Sequence, residues 1–102
     1  MSDEYLKAKA EELVNELQQV ITQRSSLAAQ LESIKEALTR LEKYEGGKVF
    51  ERAGAVFVER DKEDVILELK GMKEFLEKSL ESLEKKEADL RQTLNRMLTG
   101  TS

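Results

Sequence analysis

The side chains in this sequence that could do chemistry are few in kind. Asp and Glu number 21, Lys and Arg 17 and Tyr 2, and there is no His and no Cys. Without an imidazole there is no ordinary base near neutral pH and no usual zinc or iron ligand set. Without a thiol there is no thiolate nucleophile, no thiolate metal site and no disulfide. Paired carboxylates remain, which is the chemistry of general acid and base catalysis. That reading needs two carboxylates set apart from the rest. Here acids crowd every charged stretch, so the sequence points to no catalytic residue, no metal and no cofactor, and the protein is not expected to be an enzyme. The charged pair that spacing does single out is Arg24 and Glu87, each of which interrupts an apolar repeat.

Those repeats identify the elements. In the first, Leu6, Leu13, Val20, Leu27, Ile34 and Leu41 fall at d of a heptad, and Ala10, Leu17, Leu31 and Leu38 at a. Arg24 is the one charge in that seam. Five regular heptads are a strong coiled-coil signal. The second repeat has Leu69, Leu76, Leu83, Leu90 and Met97 at d, and Ile66, Lys73, Leu80, Glu87 and Leu94 at a. Asp3 and Glu4 suit the start of the first helix, where acids complement the helix dipole. Asp61 fits the N-cap of the second and Gly100 its stop.

Between the repeats the pattern changes. Val49, Phe50, Val56, Phe57 and Val58 favour strands. Ala53 and Gly54 stand between the two apolar runs, where a tight turn belongs. The expected organisation is a single domain over 1–102: helix 1 across 1–45, a linker and β-hairpin across 46–61, helix 2 across 62–98 and a short tail across 99–102. The fold class is mainly α, an antiparallel two-helix coiled-coil hairpin with one short β-hairpin at the helix–helix junction. Pairing a of one helix with d of the other matches Leu13 with Leu94, Leu17 with Leu90, Leu27 with Leu80, Leu31 with Leu76 and Leu38 with Leu69. It also brings Arg24 and Glu87 into neighbouring layers.

Composition agrees with a helical rod: charged residues make up 37% and aromatics 5%, with no Trp and no Pro. A formal net charge of -4 argues against broad nucleic-acid binding, which depends on neutralising phosphates. No apolar run approaches the roughly 20 residues that cross a bilayer, and the N-terminus carries no secretory pattern. A cytoplasmic protein that engages neither membrane nor nucleic acid is expected.

Two strands alone are marginal in water, and their edges invite another strand. Consecutive Val56, Phe57 and Val58 send apolar side chains to both faces of the hairpin, so one chain cannot bury both. Val49, Phe50, Gly54, Val56, Phe57 and Val58 are therefore expected to form an oligomerisation hairpin. A local mini-core against the helix junction is the plainer alternative. The Leu stripes are read as seam packing and the Lys and Glu residues as a solvated face.

The run Val49-Phe50-Glu51-Arg52-Ala53-Gly54-Ala55-Val56-Phe57-Val58-Glu59, followed by Asp64-Val65-Ile66-Leu67-Glu68-Leu69, resembles the hairpin and second-helix start of the prefoldin beta-subunit family. The order helix, glycine-containing break, hairpin, helix extends the resemblance over essentially the whole chain. Phe50 stands where that family usually has Tyr, and Glu51 and Ala53 where Lys and Val are common. The resemblance implies an ATP-independent holdase within a hetero-hexamer. Its partners would be a prefoldin alpha-type subunit and further beta subunits, non-native client proteins, and a group II chaperonin that receives them. It also implies that clients are held at the arm tips, here the two chain ends, where Tyr5, Leu6, Val14, Met97 and Leu98 are the apolar candidates. A structural scaffold or an adaptor subunit of another complex, assembled through the same hairpin, is the competing reading.

Overall fold

The computed structural model describes residues 3–100. Four elements follow one another: helix α1 (Asp3–Lys43), strand β1 (Lys48–Ala53), strand β2 (Val56–Asp61) and helix α2 (Lys62–Thr99). The protein is mainly helical, two helices with a two-stranded antiparallel hairpin between them. Residues 1–2 and 101–102, which the sequence places at the start of the first helix and in the tail, lie outside the described residues.

The element ends differ from expectation by one or two residues, for identifiable reasons. Helix α1 closes at Lys43, where the Tyr44 N–H donates to the carbonyls of Arg40 and Leu41 at 3.1 and 3.2 Å. The Tyr44 carbonyl accepts from the Lys62 ammonium at 2.8 Å, and the Lys62 N–H donates to the Gly47 carbonyl at 2.9 Å. These bonds satisfy groups that a helix end leaves open, and they tie the end of α1 to the start of α2. Asp61 stands just before α2, but its carboxylate pairs with Lys48 across the hairpin. Helix α2 runs one residue past expectation, to Thr99.

The strands pair in the register Val49 with Arg60, Glu51 with Val58 and Ala53 with Val56 on one face. Lys48 with Asp61, Phe50 with Glu59 and Arg52 with Phe57 lie on the other. The turn is Gly54-Ala55, one residue later than the sequence suggests. Gly54 has φ 63, and no non-glycine residue takes positive φ among those described. Positive φ at the first central position alone is the type II′ pattern of a two-residue hairpin, and a side chain there would be strained.

The chain divides into two compact units. One joins 1–28 to 78–102 and contains the buried Val20, Leu90 and Leu94. The other covers 29–77, with the hairpin, and buries Leu31, Ile34, Leu38, Ile66 and Leu76. All eight are a or d positions, so the heptad defines the core of each unit. Leu6, also in the d register, is 52% exposed.

Candidate interaction sites

In the hairpin unit, both faces of the two-stranded sheet carry exposed apolar side chains. Phe50 and Phe57 share one face and are 71% and 68% exposed. Val56 and Val58 are exposed on the other, while Val49 is half-buried. Strand alternation produces this directly, because three consecutive apolar residues cannot share a face. The hairpin is fastened at its base by ion pairs. Arg60 bridges Glu51 at 3.3 Å and Glu68 of α2 at 2.7 Å, and Lys48 holds Asp61. The hydrogen bond from Arg60 keeps the Glu68 carboxyl below its ordinary range, and the bond from Lys48 does the same for Asp61.

In the other unit, Arg24 and Glu87 meet. The Arg24 Nε donates to Glu87 Oε1 at 2.6 Å. Arg91 donates to Oε2 of the same carboxylate through Nη2 at 2.9 Å and Nε at 3.1 Å. Hydrogen bonds from Arg91 first, and then from Arg24, hold the Glu87 carboxyl below its usual range. Lys86 reaches Glu16 at 3.5 Å, a second ion pair between the helices in this unit.

All five apolar candidates for client contact belong to this same unit. Tyr5, Leu6, Val14 and Leu98 are exposed, and Met97 is half-buried at its d position. Leu98 borders an open groove with Leu17 and Leu94. The arrangement offers apolar surface. Among the described residues no cluster of Asp and Glu could hold a metal ion, and no helix is long and apolar enough to cross a membrane.

Sequence reasoning passed over Leu67, Met72 and Phe75, which are exposed on α2. They lie off the a/d register, at b, g and c, in a helix read there as a solvated face. The signal that could have found them is the spacing of Leu67, Gly71 and Phe75, four residues apart.

These features define a class: a two-helix coiled-coil protein with exposed apolar side chains on its hairpin and on its helices. The chain belongs to the prefoldin subunit family, whose pattern it matches over residues 5–99. It is 38% identical over 88 residues to the prefoldin subunit beta of Archaeoglobus fulgidus, covering 85% of this chain and 76% of that one. It is 36% identical to that of Thermococcus onnurineus, covering 80% of this chain and 72% of that one. The crystal structure of the prefoldin beta subunit from Thermococcus strain KS-1 superposes with a TM-score of 0.86 at 26% identity, covering 95% of this chain and 86% of that chain. Prefoldin is a chaperone family.

Proposed function

We propose that this chain is a beta-type subunit of an ATP-independent holdase, a cytoplasmic hetero-hexamer assembled with alpha-type and further beta subunits through the hairpin. Its helix pair binds non-native proteins at the chain ends and delivers them to a group II chaperonin. The observation that carries this reading is the hairpin open on both faces, with Phe50 and Phe57 on one side and Val56 and Val58 on the other. A sheet of two strands with that much exposed apolar surface calls for further strands. The second support is the exposure of Tyr5, Leu6, Val14 and Leu98 beside a half-buried Met97. Such a surface, with adaptable methionine, suits partners of many sequences.

Co-expression with an alpha-type subunit and native mass measurement tests the assembly. Light scattering from a denatured client, diluted with and without the assembled complex and without nucleotide, tests the holdase step. A hexameric mass and suppressed scattering are expected. An assembled complex that leaves scattering unchanged favours the scaffold reading instead.

A further inference from the structure

The hairpin is covered at one place. In β1 only Val49 is half-buried and in β2 only Arg60, and the two are cross-strand partners. Every other strand residue is exposed. No apolar face therefore seats the hairpin on its helix, since Val56 and Val58 stay open. A guanidinium spans from sheet to helix instead. Arg60 Nη1 donates to Glu51 of β1 at 3.3 Å, and Nη2 donates to Glu68 of α2 at 2.7 Å. The pair of Lys48 with Asp61 joins one strand to the other. The bonds from Lys62 to the Gly47 and Tyr44 carbonyls lie at the base of the hairpin. They set the pivot and leave the tilt free.

Tilt matters for a part that must meet other strands. Six residues of strand extend about 20 Å, and paired strands lie about 4.8 Å apart. A tilt of about 15° at the base carries the turn through roughly 5 Å, a whole strand spacing. Glu68 lies past Lys62 by about 9 Å at helical rise, so the bridge braces the hairpin away from its pivot. Glu51 and Glu68 are held at the same guanidinium. Without it, two carboxylates face each other and repel. Arg60 thus turns a repulsion between sheet and helix into a brace. Both carboxylates are about half exposed, so salt reaches the brace and screens it.

We propose that Arg60 is the positioning residue for assembly: its bridge from Glu51 to Glu68 holds the hairpin at one tilt on α2, and salt loosens that tilt and the assembly with it. This rests on the reading that the hairpin assembles subunits, and it adds what aims the hairpin and what ion concentration does to it.

The absence of cysteine lets introduced thiols carry spin labels without background. Labels at Ala55→Cys in the turn and Lys70→Cys on α2, both exposed sites, read the tilt within one chain. A single narrow distance distribution is expected at low salt, and a broader one at high salt. Arg60→Met, which keeps the apolar stem, should broaden it at low salt, and so should Glu68→Gln. Lys48→Met should leave it narrow. Dilution of the complex with an alpha-type subunit, followed by native mass measurement, reads assembly. Arg60→Met is expected to weaken it about fivefold, the scale of a lost exposed ion-pair network. Glu68→Gln should weaken it too, and add nothing in the Arg60→Met background. High salt should weaken the unchanged complex more than the Arg60→Met complex. A distribution that stays narrow in Arg60→Met overturns the proposal. So does equal salt dependence of the two complexes. Additive losses for Arg60→Met and Glu68→Gln also overturn it, because Arg60 would then touch a neighbouring subunit directly. Phe57→Asp separates this from the assembly reading. If that variant leaves the oligomer intact, the hairpin reading itself fails. If it dissociates the oligomer and Arg60→Met does not, only the brace fails.

Discussion

Glu87 sits in an apolar seam and accepts from two arginines, one on its own helix and one on α1. A polar group at an a position fixes register because a slipped alignment leaves it without its partner. It does so at a cost in stability, since apolar side chains of similar volume pack there without losing hydration. The double variant Arg24→Leu, Glu87→Leu is therefore expected to melt several degrees higher while sampling more than one helix alignment. Thermal denaturation followed by circular dichroism reads the first effect, and spin-label distances across the helix pair read the second. A lower melting temperature for the double variant contradicts it. The same carboxylate predicts a pH dependence. The folded chain holds Glu87 below its ordinary value of 4.5, as it also holds Glu68. A lowered folded value means the stabilisation is present above the unfolded value and is lost as pH falls through the folded one. Urea denaturation should show stability falling as pH drops below 4.5, and less steeply in Glu87→Gln.

The hairpin combines a conformational requirement with the proposed assembly interface. Gly54 has φ 63, which a β-branched residue adopts only at a cost of roughly 1–2 kcal/mol, so Gly54→Val should loosen the turn. Phe57→Asp places a charge where a partner would bury an apolar ring, and an unpaired buried charge is expensive. Both variants should lose the oligomer in size-exclusion chromatography and keep helical circular dichroism; an unchanged elution volume for Phe57→Asp removes the hairpin from the interface. Much of this architecture is legible in the sequence because its periods are strict. A seven-residue repeat broken only by charges at a positions yields the two helices and their buried face. A switch to consecutive Val and Phe residues around Gly54 yields the strands. Less legible were features set by side-chain reach. Asp61 turned to Lys48, and Arg60 joined strand to helix through Glu68. Leu67 and Phe75 were hidden by the seam itself, because a heptad explains the leucines it contains and draws attention from those it does not.

At the scale of the molecule, the proposed function assigns the binding of a non-native chain and the assembly with other subunits to different residues. Tyr5, Leu6, Met97 and Leu98 belong to one compact unit, and the hairpin belongs to the other. Changing these four to Ser should therefore leave the oligomer intact. A client side chain buried against any one of them gains only about 1–2 kcal/mol, so a single helix pair holds weakly. An assembly presents several such surfaces at once. Each further contact is made at high effective concentration, and grip rises steeply with the number engaged. Complexes with the four changes in every copy should then lose most of their protection against client aggregation, and complexes with one changed copy in a mixed assembly only a little. Light scattering from a denatured client, paired with native mass measurement of the same samples, reads both quantities. A fully changed complex that keeps its mass and protects as well as the unchanged one would place the client surface elsewhere. The groove that Leu17 and Leu94 line beside Leu98 is then the next surface to alter.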